Sequence, residues 1–96
     1  MKNDFDISAF VNVQTVQSVL AELKEKVKTR RKEASLSQQE LSVRSGVSFG
    51  SIRRFEKTGE IAFSSLAKIG LALNCLDDFN TLFHNPVITN LRDYKA

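Results

Sequence analysis

The chain has 96 residues, 42% of them apolar, enough for one compact core and too few for two. No apolar run reaches the length of a membrane span, and Met1 to Asp6 lack the basic-then-apolar profile of a secretory leader, so a cytoplasmic protein with no membrane role is expected. The formal charge of +3 is unevenly spread: residues 23–57 hold ten Lys/Arg against four Asp/Glu, a concentration that suits either a polyanionic partner or an ordinary solvated helix face.

Residues 1–14 alternate in character at Phe5, Ile7, Ala9 or Phe10, Val11 and Val13, which predicts a short strand or an extended arm. From Thr15 the spacing becomes helical. Val16, Leu20, Leu23, Val27 and Ala34 recur on one side with Val19, and Glu22, Lys24, Glu25, Lys26 and Lys28 lie on the other, predicting a long amphipathic helix. Ser37 and Glu40 have the spacing of a capping box, so a second helix starts there, and Gly46 supplies the left-handed residue that ends it after Ser45. Ser48 offers the next N-cap; Ile52 and Phe55 form an inward face before Lys57, Thr58 and Gly59 close that third helix. Phe63, Leu66, Ile69, Gly70 and Leu73 mark a fourth, starting near Ser64 because Ala62 is a poor cap, and ending near Asn74. Leu76, Phe79, Leu82 and Phe83 predict a brief fifth helix, with Asp77 and Asp78 at the positive end of its dipole and Pro86 after it. The division is an arm over 1–14, a helical domain over 15–84 and a tail over 85–96.

The stretch from about Ser37 to Glu56 meets several demands at once: Ser42 is small where two helices cross, Leu41, Val47, Ile52 and Phe55 point inward, and Gly46 makes the turn. Two short helices so joined form a unit whose second member fits the DNA major groove. Leu36 to Leu41, Ser45 to Ser48 and Ile52 to Glu56 resemble the Cro/phage-repressor (Xre) helix-turn-helix family, over about residues 20–83. The resemblance implies an all-α, five-helix, lambda-repressor-like DNA-binding domain. It also implies that Arg31 pairs with Glu56. An Arg and a carboxylate partly out of water can form a bidentate bond fixing the first helix against the third; the alternative is two unrelated surface charges.

By the same resemblance, Gln38 bonds a DNA phosphate and braces the recognition helix, and Ser48 and Lys57 contact phosphate. Phe49, Gly50 and Arg54 fall where base edges are read, while Arg53 suits base, phosphate or solvent. Arg54 is the foremost base reader, since a guanidinium can donate two parallel bonds to guanine O6 and N7, worth roughly 1–3 kcal/mol of discrimination; its alternative is a phosphate contact. Phe49 and Gly50 depart from relatives that carry hydrogen-bonding side chains there. Phe49 suits a thymine methyl or the protein interior, and Gly50 permits close approach at a cost of about 1 kcal/mol to the helix. Specificity then leans on Arg54, Arg53 and DNA shape.

One recognition helix covers few base pairs, so a homodimer on two half-sites of operator DNA is expected. Leu82, Phe83, Val87 and Ile88, with Phe5 and Phe10, are candidates for its surface; Phe79 suits either that surface or the core. The carboxyl half, Gly59 to Leu66 through Leu82 to Pro86, is similar to HipB-like antitoxins, which implies a nucleoid-associated autorepressor with a HipA-type kinase toxin as partner. A stand-alone repressor and a pure protein-interaction module are the other readings. An enzyme is not expected, nor a cofactor or metal: His84 is the sole histidine and sits at a helix end, Cys75 reads as a small buried hydrophobe, and there is no Gly-rich phosphate loop or spaced His/Cys set.

Overall fold

The computed structural model describes residues 13–86, and every regular element among them is helical. In chain order these are α1 (Val16–Glu33), α2 (Gln38–Ser45), α3 (Phe49–Thr58), α4 (Phe63–Ala72) and a 3-10 helix (Leu76–Thr81). The arm predicted over 1–14 lies outside the described residues except for Val13 and Gln14, which are exposed and in no regular element. The tail lies outside them from Val87 onward, as do Phe5, Phe10, Val87 and Ile88.

Local chemistry sets the boundaries. Ser37 and Glu40 bond reciprocally: the Glu40 N–H donates to Ser37 Oγ at 3.0 Å and the Ser37 N–H to Glu40 Oε1 at 2.8 Å. That N–H and the Ser37 hydroxyl hold the Glu40 carboxyl below its ordinary range. Thr15 and Ser18 make the same exchange at the start of α1, with a hydroxyl in place of the usual carboxylate. Ser48 Oγ accepts the Ser51 N–H at the start of α3. Gly46 and Gly59 end α2 and α3 in the left-handed region, at φ of 78° and 84°.

Leu36, Leu41, Val47, Ile52 and Ile69 form a buried cluster, with Val27, Ile61, Ala72 and Leu73 packed against it; Phe55 and Leu66 are buried too. α1 packs on α3, α2 on both α3 and α4, and the 3-10 helix on α4. At Gly59 two backbones meet. A Cβ there would stand 2.8 Å from Leu20 Cβ and 2.9 Å from the Leu20 carbonyl oxygen, so the end of α3 lies directly on the α1 backbone.

Three expectations need correction, and the alternative left open for Phe79 is decided. Val16 is 70% exposed and Val19 is also exposed, while Ala34 is the exposed C-cap of α1, so the inward stripe reduces to Leu20, Leu23 and Val27, each half-buried. An 18-residue helix is about 27 Å long and overhangs the short helices it packs on. The fifth helix is 3-10 in type and ends at Thr81. Leu82 and Phe83 follow it exposed, Phe83 at 99% with φ 56°. Phe79 belongs to the fold: its ring lies over Gly70, where a Cβ would come within 2.5 Å of it, and meets the exposed Phe63 edge-to-face at 5.6 Å. Cys75 is half-buried, not buried.

Between α1, α4 and the 3-10 helix lies an open apolar groove of about 630 Å³, lined by Leu23, Val27, Phe63, Leu66, Leu73 and Phe79.

The two left-handed glycines separate a conformational cost from a steric one, because a Cβ at Gly46 meets nothing within 4 Å. Gly46→Ala is expected to lose about 1–2 kcal/mol in urea denaturation from backbone conformation alone. Gly59→Ala should lose clearly more, since Leu20 backbone must move; equal losses would contradict the close junction.

Candidate nucleic-acid interface

The turn between α2 and α3 is closed by side chains as well as by Gly46. Ser42 Oγ donates to the Val47 carbonyl at 2.6 Å, and the Val47 N–H donates to Ser45 Oγ at 3.1 Å. Ser42 is thus a bonding group and not merely a small residue at a crossing. These bonds satisfy backbone groups that a two-helix corner would otherwise leave without partners.

α3 is divided lengthwise. Ile52, Phe55 and Glu56 are buried, and Gly50, Ser51, Arg53, Arg54 and Lys57 are exposed, with Ser48 exposed at the N-cap. Phe49 is half-buried and serves as a platform: the Arg53 guanidinium lies over its ring, 5.8 Å from the centroid. A Cβ at Gly50 would meet nothing within 4 Å, so internal packing does not demand a glycine there. Arg54 Nη2–H donates to Glu60 Oε1 at 2.7 Å, with the two side chains 66% and 57% exposed. Lys57 is tied to α1 through its carbonyl, which accepts from Lys24 Nζ at 2.8 Å.

Beneath this face lies a buried polar knot. Arg31 Nε–H donates to Glu56 Oε2 at 2.7 Å and Nη2–H to Glu56 Oε1 at 2.9 Å, with the two side chains only 9% and 4% exposed. Arg31 Nη1–H donates to the Leu36 carbonyl at 2.7 Å, and Gln38 Nε2–H to Glu56 Oε1 at 2.9 Å. One knot therefore joins α1, the α1–α2 connection, α2 and α3. Gln38 braces α3 through Glu56 here; it stands half-buried at the first position of α2. Burial pushes the Glu56 carboxyl up, but the bonds from Arg31 and Gln38 and the charges of Arg31 and Lys28 outweigh it and hold it below its ordinary range. The bond to Glu56 in turn raises the Arg31 pKa against the opposing effect of burial.

Sequence reasoning missed Glu60, the Ser42 hydroxyl bond, the Leu36 carbonyl and Lys24. Glu60 follows Arg54 by six residues across a helix end, a separation that helical periodicity does not bring together. Lys24 and Lys57 are 33 positions apart and meet only through tertiary packing.

A model of the helix-turn-helix family matches residues 27–77, from the latter part of α1 to the start of the 3-10 helix. The chain belongs to the Xre-like helix-turn-helix family. No curated protein and no solved structure matches it. The helix-turn-helix is a DNA-binding domain, which makes the chain a DNA-binding regulator. Among the described residues, no helix is long and apolar enough to cross a membrane, and no group of His, Cys, Asp and Glu could hold a metal ion.

Removing one partner of a buried ion pair leaves the other charge without compensation. Arg31→Ala is therefore expected to lose about 3–5 kcal/mol in denaturation at neutral pH, and Arg31→Lys to recover only part, because an ammonium cannot fork onto both carboxylate oxygens. The folded Glu56 carboxyl titrates below its unfolded value. The stability it contributes is thus complete above the unfolded carboxylate range and is lost as pH falls through the folded value. Melting temperature should fall with acidification less steeply in Glu56→Gln than in wild type; parallel curves would contradict the coupling.

Proposed function

We propose that the protein is a sequence-specific, non-catalytic transcriptional repressor that reads operator DNA as a homodimer. The observation that carries this reading is the division of α3. Its inner side is locked by Ile52, Phe55 and the Arg31–Glu56 pair, and its outer side presents Ser48, Gly50, Arg53, Arg54 and Lys57 to solvent. In this reading Arg54 donates to guanine O6 and N7, and Gly50 lets the helix come close to the base pairs. Arg53, stacked on Phe49, reaches base edge or backbone. Ser48, Lys57 and the remaining Gln38 amide hydrogen bind phosphate and set the register.

Ten residues of α3 span about 15 Å, enough for a few base pairs, so two copies supply the half-sites. The exposed Leu82 and Phe83, next to the apolar groove, are the surface offered to the second copy. The finer role is an autorepressing antitoxin, confined with the nucleoid to the cytoplasm and bound to a HipA-type kinase toxin. It rests only on the resemblance to HipB-like antitoxins read in the residues of the carboxyl half, Gly59 to Leu66 through Leu82 to Pro86. Copurification of a larger kinase bears out the antitoxin role, and a chain that regulates DNA without one is a stand-alone repressor.

The deciding experiment is selection of duplexes from a randomised pool, followed by titration of variants. Arg54→Ala should lose roughly ten- to hundred-fold in preference for the selected duplex, and Lys57→Ala should weaken all duplexes alike and reduce the salt slope by about one. Preference that survives Arg54→Ala intact removes the assigned reader, and salt-insensitive binding removes DNA as the partner. Sedimentation equilibrium should give the mass of two chains, and Phe83→Ser should shift it toward one; a single-chain mass at concentrations that saturate the duplex contradicts the dimer.

A further inference from the structure

We infer that Glu60 is a specificity-determining residue: it holds the Arg54 guanidinium at the recognition face and penalises its use on phosphate. The inference rests on the reading of α3 as the helix that enters the groove.

Glu60 is placed by the chain around it. The Thr58 hydroxyl donates to the Arg54 carbonyl at 2.8 Å and accepts the Glu60 N–H at 3.1 Å, folding the exit of α3 back onto its last turn. Gly59 between them is buried against the Leu20 backbone in the left-handed conformation. The Glu60 carboxylate consequently stands beside the recognition helix, 2.7 Å from Arg54 Nη2. Folding does not account for it, because both side chains are more than half exposed and the buried ion pair that fixes α3 lies elsewhere. Affinity for a polyanion does not account for it either, because a carboxylate on Arg54 opposes binding of that side chain to phosphate.

The donor geometry supplies a reason. A guanidinium carries five N–H groups, and one bond to Glu60 leaves enough to fork onto guanine O6 and N7. Both guanine atoms are neutral acceptors, so Arg54 can serve guanine and Glu60 together. A phosphate on the same guanidinium would stand within a few ångströms of the carboxylate, and the two anions repel. Glu60 thus disfavours the sequence-independent mode of Arg54 and spares the base-reading mode. Tethering also leaves Arg54 less side-chain freedom to lose on docking.

The test compares full-length wild type, Glu60→Gln, Arg54→Ala and the double variant on two probes: the duplex that wild type selects from a randomised pool, and poly(dA-dT), which has no O6 and N7 acceptor pair for a guanidinium fork. Glutamine keeps an acceptor for Arg54 and removes the charge. Glu60→Gln should bind poly(dA-dT) more tightly and lower the ratio of specific to non-specific affinity by up to about five-fold, the upper end for an exposed ion pair, with the melting temperature unchanged. In the Arg54→Ala background the same substitution should leave the ratio unchanged. An unaltered ratio in Glu60→Gln overturns the inference while leaving α3 as the DNA reader, and so does an equal fall in both backgrounds. If wild type selects no duplex, the reading of α3 fails and the inference fails with it.

Discussion

The arrangement of the domain depends on two opposite charges withdrawn from water between α1 and α3. Bringing Arg31 and Glu56 out of solvent costs several kcal/mol per ion, and only near-complete hydrogen bonding compensates it. The fork between them, the Leu36 carbonyl and the Gln38 amide provide that bonding, and each comes from a different place along the chain. Such a knot contributes little net stability over an apolar contact of equal volume, but it penalises misplacement heavily. A shift of α3 by one helical position would carry Glu56 off Arg31 and leave an unpaired charge in the interior. The pair therefore acts mainly on where α3 sits and how it is rotated.

Rotation is what a recognition helix requires. With Ile52, Phe55 and Glu56 facing in, the 100° step of the helix leaves positions 50, 53, 54 and 57 facing out. The arginines at 53 and 54 then enter solvent at neighbouring angles. One has an aromatic ring beneath it and the other a carboxylate beside it, so neither guanidinium is a loose surface charge. The Thr58 hydroxyl and the close seat of Gly59 on Leu20 fix the exit of the helix, which keeps Glu60 where Arg54 can reach it.

What could be read from the residues alone was what is decided locally. The Ser37–Glu40 capping box, the left-handed Gly46, the Ser48 cap and the inward Ile52 and Phe55 each depend on neighbours within a few positions, and they specify the helix-turn-helix without reference to the rest of the chain. The pairing of Arg31 with Glu56 spans 25 positions and was legible through resemblance to a family. Periodicity misled where a helix outran its partners: Val16 and Val19 continue the apolar spacing of α1 past the end of the packing, and spacing carries no information about where the opposing surface stops. Leu82 and Phe83 misled for a related reason. Leu76, Phe79 and Leu82 keep one spacing throughout, but the 3-10 helix stops at Thr81, and 3-10 runs are short. The partner of Arg54 was not legible at all, since it depends on the path of the chain beyond a left-handed glycine.

The basic stretch that first suggests a polyanionic partner also reads differently once its contacts are known. Of the arginines in residues 23–57, Arg31 is buried on Glu56, Arg30 is paired with Glu33 and Arg54 with Glu60. Charge counted along the sequence therefore overstates what can neutralise phosphate, because one of these cations cannot leave the interior and two must exchange a carboxylate for the new partner. Among the described residues of α3, Arg53 and Lys57 carry no such ion pair. A face built in this way has limited indiscriminate attraction for a duplex, since counterion release scales with the phosphates neutralised and not with the formal charge of the chain. On the proposed reading, discrimination rests on the contacts that Arg54, held by Glu60, makes with neutral acceptors, and an acidic residue beside a basic helix takes part in telling sequence from backbone.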